Sequence, residues 1–329
     1  MMQVDKELKI DGKKILIVGN RSYKNLGDEL ILLGTINLLI KQKKNIYIAA
    51  YDVERLKGFL GKFVDASKIN FLTEIPKGLK SGLNYLENGK LREWKEYREI
   101  DSIIIGGGEI LTEENPNSYR YRLLSILPCC FSGSKIYLMG GIQLPKKELN
   151  KWLFDFLLKN TEKIYARDYE CVNNIKKYWF QNIEYFMDTA YFAYDWSKIE
   201  NGGKNKYIVV NLNKNAEKFL DEMIEDIKGY VNKSYDIYFV PVSKGINDEY
   251  NDIMYLEKIR GKLGNVRLKI LDREEDFEKF LKIVKGAEIV FTGRLHLFMI
   301  AKFLGAKVKV YPYQKKILKM QEVLKNFNI

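Results

Sequence analysis

The chain contains one histidine, and its neighbours give that histidine a chemical setting. His296 stands in Thr292-Gly293-Arg294-Leu295-His296. An apolar run, Glu288-Ile289-Val290-Phe291, leads in, and a longer one, Leu297-Phe298-Met299-Ile300-Ala301-Lys302-Phe303-Leu304, leads out to Gly305. The first run has the length of a buried strand and the second that of a helix. Gly293, Arg294, Leu295 and His296 therefore fall on a strand-to-helix turn, where backbone N–H groups and the positive end of a helix dipole favour an anion. Imidazole is the side chain that titrates near neutrality. Such a turn suits an anionic ligand and a proton donor, and any histidine chemistry belongs to His296. The plain alternative is a packed or surface histidine.

Three other groups of residues could do chemistry. Asn25-Leu26-Gly27-Asp28-Glu29 follows the first apolar run and opens the first helical pattern. Asp28 fits a helix cap or an acid of the first turn. Asp28 or Glu29 also fits a base that takes a proton from a hydroxyl, with Gly27 giving room. The spacing matches neither GxGxxG nor a Walker loop. Gly106-Gly107-Gly108-Glu109 and Gly140-Gly141 each follow a buried apolar run, and such glycine turns let a ligand approach the backbone. In Ala166-Arg167-Asp168 the arginine at a strand end could hold a carboxylate or phosphate, or pair locally.

These residues need a scaffold, and the hydrophobic pattern supplies one. Residues 14–20, 45–50, 101–105, 135–141 and 163–168 read as strands, alternating with helical stretches such as 28–40, 53–60 and 152–158. The last of these strands closes the first half. Residues 77–98 form a charged helix plus loop. The alternation resumes with strands at 207–212, 236–241, 266–271, 288–291 and 307–311, and helices at 216–231, 249–263, 274–284 and 315–326. Strand–helix alternation implies parallel sheets covered on both faces, with ligands at the carboxyl ends of the strands. The expected fold is α/β, with two Rossmann-like parallel-sheet domains facing a cleft. Residues 1–194 form the first domain, 195–206 a polar linker, 207–314 the second, and 315–329 a helix packing toward the N-terminal half.

Composition bounds the class. The 329 residues suggest about two domains, and 46% hydrophobic residues can fill their cores. Cys129, Cys130 and Cys171 form no CxxC pair and no cysteine–histidine cluster, so no metal site is expected, and their low, odd count fits a reducing cytoplasm. No long apolar run spans a bilayer and no secretory leader is evident. A net charge of +12 favours anionic partners, among them an anionic membrane face, although scattered lysines also serve solubility. The lysines are not interleaved with aromatics as in single-strand binders, and nucleic acid is not an expected partner.

Taken in order, Asn25-Leu26-Gly27-Asp28-Glu29, Gly106-Gly107-Gly108, Ala166-Arg167-Asp168, Asp188-Thr189-Ala190, Thr292-Gly293-Arg294-Leu295-His296 and Tyr311-Pro312-Tyr313-Gln314-Lys315 resemble the polysaccharide pyruvyl transferases over nearly the whole chain. One departure is Val240-Pro241-Val242-Ser243, where many members carry a further polar or histidine-containing segment. The resemblance implies a GT-B-like fold and transfer of pyruvyl from phosphoenolpyruvate to two hydroxyls of a sugar or oligosaccharide acceptor, lipid-linked or free, with no cofactor. Work at the inner face of the membrane would suit a lipid-linked acceptor. In that chemistry Arg294 and Arg167 hold the donor's anionic groups, and Gly293 and Leu295 belong to the same donor-binding set. His296 protonates its methylene carbon, and Asp28 or Glu29 takes acceptor protons. Two other classes remain open: a GT-B glycosyltransferase using a nucleotide sugar, and a non-catalytic binder of anionic polymers.

Overall fold

The computed structural model describes residues 7–19, 24–50, 52–73, 93–112, 116–200, 206–244, 251–264 and 266–326. Two sheets organise it, each within its own unit. One unit takes Asp28–Ala193 with N-terminal residues, and the other takes Tyr194–Ile329 with the early stretch 24–27.

The first unit runs β1 (Lys14–Val18), α1 (Leu26–Lys41), β2 (Asn45–Ala50), α2 (Val53–Leu60), β3 (Ile69–Thr73), α3 (Glu93–Arg98), β4 (Ser102–Leu111), α4 (Pro116–Ile126), β5 (Lys135–Ile142), α5 (Glu148–Lys159), β6 (Thr161–Ala166), α6 (Tyr169–Tyr178) and β7 (Ile183–Tyr185), with α1 starting in the stretch counted with the other unit. Its strands pair in parallel in the order β3-β2-β1-β4-β5-β6-β7. Ile15, Leu16 and Ile17 are almost fully buried, as expected of strands covered on both faces. The order reverses between β1 and β4, and the carboxyl ends of those strands are where such sheets place ligands.

Two expectations need correction here. Gly106, Gly107 and Gly108 do not form a turn after β4, and Gly140 and Gly141 do not form one after β5. They lie inside those strands, which shift register between Gly106 and Glu109. Gly107 has φ +132° and Gly140 φ +141°, and a Cβ on Gly140 would lie 2.4 Å from the Gly107 carbonyl oxygen. Glycine is needed there because the two bulged strands approach too closely for side chains. The half also does not close at Asp168, since α6 and the edge strand β7 follow. Of the charged stretch 77–98, residues 93–98 form α3 and the rest lie outside the described residues.

The second unit runs β8 (Tyr207–Asn211), α7 (Leu220–Val231), β9 (Asp236–Phe239), α8 (Met254–Leu263), β10 (Leu268–Ile270), α9 (Phe277–Gly286), β11 (Val290–Thr292), α10 (Leu295–Phe303), β12 (Val308–Val310) and α11 (Lys315–Asn326). The parallel order is β10-β9-β8-β11-β12, reversing between β8 and β11. Ile208, Val210, Met223, Ile227, Phe239 and Phe291 belong to its core. The expected linker, 195–206, is not a bare connection over its first part. The Trp196 ring lies 5.3 Å from Phe303, the preceding Tyr194 lies 6.3 Å from Phe277, and the Ile199 carbonyl accepts from Lys285. Aromatic burial thus holds residues 194–200 to this unit, while 201–205 lie outside the described residues. The last helix, expected to reach toward the N-terminal half, is counted with this unit and packs on α10, with Ile317, Met320, Val323 and Leu324 buried.

Candidate active site

In the second unit the two strands flanking the order reversal end in polar residues, Asn211 on β8 and Thr292 on β11. The Asn211 amide donates to the Val240 carbonyl at 2.8 Å, and its oxygen accepts from the Thr292 hydroxyl at 3.3 Å. The Arg294 N–H donates to Thr292 Oγ1 at 2.9 Å, which sets the turn. Gly293 is required because a Cβ there would lie 2.5 Å from that of Ala216. Arg294 then occupies the N-cap of α10 in extended conformation without a side-chain cap, and Leu295 anchors the first turn in the core.

The Arg294 guanidinium grips Asp252, a carboxylate only 1% exposed. Nε donates to Oδ2 at 3.3 Å and a terminal nitrogen donates to Oδ1. Oδ2 also accepts from the N–H groups of Val242 and Ser243, at 3.1 and 3.2 Å, and from Asn211 Nδ2 at 3.0 Å. A buried carboxylate so surrounded by donors is compensated for its desolvation, and it fixes where the arginine points. Nearby on α8, burial and then the Glu217 carboxylate push the Tyr255 hydroxyl up to about 12, so it stays a neutral donor, 3.3 Å from Glu217 Oε2.

The same unit contains the beginning of the early motif. Leu26 N–H donates to the Val242 carbonyl at 3.0 Å, Asn25 bridges Ser243 in antiparallel fashion, and the Asn25 side chain accepts from Gly27 N–H at 3.0 Å. The half-buried His296 ring lies against Gly27, where an added Cβ would be 2.0 Å from Nδ1 and 2.5 Å from Cε1. The glycine of one motif is thus the seat for the histidine of another, some 270 residues on. The segment Val242-Ser243, marked in the sequence as a departure, supplies the backbone that joins them.

In the first unit, Asp28 is a first-turn residue of α1 rather than its cap. It lines a cavity of about 230 Å³ with Gly19, Gly107, Gly108, Glu109 and Arg122, at the carboxyl ends of β1 and β4. Tyr119 and Thr112 complete the wall. Arg122 donates to the Gly19 carbonyl at 3.0 Å and the Tyr119 hydroxyl to that of Gln143 at 2.9 Å. Glu29 does not join Asp28. It is 2% exposed and paired with Arg55 at 2.6 Å. Arg167 is likewise buried, 3.1 Å from Asp188. Asp188 also accepts from Ala190 N–H at 3.1 Å, and Thr189 bonds to Thr35 and to the Ile31 carbonyl, so Asp188-Thr189-Ala190 is packing against α1. Asp252, Asn211 and Arg122 were not singled out from the sequence. A polar residue ending an apolar strand was the available signal for Asn211, and Asp252 carried none.

A family model, polysaccharide pyruvyl transferase, matches residues 25–306, from Asn25 through the His296 helix. The chain belongs to the polysaccharide pyruvyl transferase family. No curated relative matches it. Among solved structures the transferase is similar to a glycosyltransferase from Rickettsia africae (13% identity, 92% of this chain and 79% of that one, TM-score 0.58). It is also similar to the UDP-GlcNAc 2-epimerases of Neisseria meningitidis bound to UDP-GlcNAc (11%, 96% and 90%, 0.56) and Methanocaldococcus jannaschii in complex with UDP-GlcNAc and UDP (17%, 91% and 83%, 0.54). At such identities the likeness is one of fold, the GT-B-like pair of parallel-sheet domains.

Proposed function

We propose that the transferase moves the pyruvyl group of phosphoenolpyruvate onto two hydroxyls of one sugar in a cell-surface polysaccharide or its lipid-linked precursor, giving a cyclic ketal and phosphate. Two C–O bonds form at the donor's central carbon and its C–O bond to phosphorus-bound oxygen breaks. Of the two hydroxyl protons lost by the acceptor, one balances the hydrogen gained by the methylene carbon and the other leaves with phosphate. No electrons pass to a carrier, so the chemistry asks for acids, bases and anion holders, not a redox cofactor.

The observation that carries this reading is the His296 ring seated on Gly27, two residues after an arginine held by Asp252. His296 acts as the acid toward the methylene carbon, the role a group titrating near neutrality fills best. Arg294 and the α10 N-terminus, whose cap residue offers no side-chain acceptor, hold the donor's carboxylate or phosphate. Asp28 is the preferred base because it lines a cavity, whereas Glu29 is committed to Arg55. That cavity, with Glu109 and Arg122, suits a hydroxyl-rich acceptor. Arg167, buried against Asp188, has a structural role in this scheme. The site of work in this scheme is the cytoplasmic side of the membrane, in keeping with a low, odd count of three cysteines, all free thiols.

The test is incubation of purified protein with phosphoenolpyruvate or UDP-sugars and a panel of glycans and lipid-linked sugars. Acceptor-dependent phosphate release with a pyruvyl ketal in the product's mass supports the proposal. Nucleotide release would replace it with glycosyl transfer, and salt-sensitive polymer binding without turnover would replace it with a binding role.

A further inference from the structure

Eleven large hydrophobic side chains are exposed among the described residues, and they are not scattered evenly. Six gather on one part of the first unit: Tyr121, Leu124, Phe131, Leu149, Trp152 and Trp179, from 44% to 76% exposed. Tyr121 and Leu124 share a face of α4. Leu149 and Trp152 share one of α5, which lies beside α4 and is tied to it by Arg120 Nε donating to Asn150 at 3.2 Å. The Phe131 ring lies 5.7 Å from that of Phe156 and tilted to it, at the far end of the α5 stripe, and the Trp179 indole donates to Asp155 on the same helix at 3.3 Å. A face so apolar on a folded protein has a partner.

Its charges indicate which. Exposed Lys146 and Lys147 precede α5, exposed Lys159 ends it, and exposed Lys176 and Lys177 occupy the last turn of α6. The acids among them are engaged, Glu148 with Lys151 at 2.6 Å and Asp155 with Trp179. Tyrosine, tryptophan, phenylalanine and leucine ringed by lysine is the composition of a helix face that lies in the interface of an anionic bilayer. A second copy is the poorer fit, because a two-fold contact would set one lysine rim against the other. No helix among the described residues is long and apolar enough to cross a membrane.

We propose that the α4–α5 face docks the transferase onto an anionic lipid surface, lying in the headgroup region. Helix α4 has a second duty that gives the docking a purpose. Its outer face carries Tyr121 and Leu124, while Tyr119 and Arg122 line the cavity that also holds Asp28. One helix thus joins the lipid-facing surface to the proposed acceptor cavity, which suits a sugar presented on a lipid carrier. That last step rests on the proposed function, whereas the docking does not.

The experiment is co-sedimentation of the full chain with vesicles of phosphatidylcholine alone or mixed with phosphatidylglycerol. Wild type is expected to sediment with the anionic vesicles and much less with neutral ones. F131E/W152E, and separately K146E/K147E, should each lower the partition coefficient by roughly tenfold or more, with unchanged circular dichroism. F131E/W152E should retain turnover on a water-soluble acceptor, so failure of docking and failure of the pyruvyl chemistry are told apart. Wild type left in the supernatant at every anionic fraction overturns the proposal. So does unchanged binding by folded K146E/K147E, or light scattering that shows F131E/W152E merely turning a dimer into a monomer.

Discussion

In each unit of the transferase an inner strand is followed by an arginine that meets a buried aspartate, and the two constructions differ in how the next helix is capped. After β6, Arg167 pairs with Asp188, and Asp168 caps α6 by accepting from Cys171 N–H at 2.8 Å. After β11, Arg294 pairs with Asp252 but is itself the cap of α10, which has no acid in its first turn and places His296 there. The first helix start is satisfied by the chain's own carboxylate. The second has a positive end with an arginine and an imidazole beside it, an arrangement that lowers the cost of bringing in an anion. The same local pattern, an arginine leaving a strand, makes a rivet in one unit and, in the proposed function, a binding turn in the other, with the difference lying in the cap.

The largest effect that separates them is on stability. Arg167→Ala leaves Asp188 a buried charge and should cost ~3–5 kcal/mol. Arg294→Ala should cost about 1–3 kcal/mol, since Asp252 keeps two backbone N–H groups and Asn211, while weakening phosphoenolpyruvate binding by ~10–100-fold. Denaturant titration with calorimetric binding checks both, and equal stability losses without a binding difference would erase the distinction. A subtler break is Gly27→Ala. Helix propensity favours the change by up to ~1 kcal/mol, yet the new methyl must displace the His296 ring. Turnover is expected to fall about 10²-fold, the usual cost of a misplaced group, while the melting temperature holds. Unchanged turnover would mean that the ring's seat does not matter. The smallest expected change is Asp168→Ala, with loss of one cap at ~1 kcal/mol and no change in donor binding.

Much of this was legible in the sequence because parallel-sheet strands announce themselves as short apolar runs, and because a lone histidine beside an arginine at a strand end is hard to overlook. The partners were not legible. Asp188 lies 21 residues from Arg167 and Asp252 lies 42 from Arg294, so no local pattern links either pair. Burial also decided between neighbours that look alike in sequence, with Asp28 lining a cavity and Glu29 buried against Arg55. Gly106-Gly107-Gly108 reads as a turn because glycine usually ends an apolar run, whereas here it is the bulged part of β4. Polar residues 195–206 suggested a linker, but Trp196 and the preceding Tyr194 already belong to the second unit's packing.

The central claim is that His296 delivers the proton, and steady-state phosphate release from phosphoenolpyruvate across pH tests it most directly, with His296→Gln beside wild type and circular dichroism as the folding control. Glutamine keeps a hydrogen-bond donor but carries no transferable proton. The variant should fold, bind donor and lose ~10²–10⁴-fold in turnover. A rate that needs a proton from the imidazole falls as pH rises, and that alkaline limb should vanish from the variant, since the chain has no other histidine. A folded His296→Gln protein with near wild-type turnover and the same alkaline limb would contradict the claim.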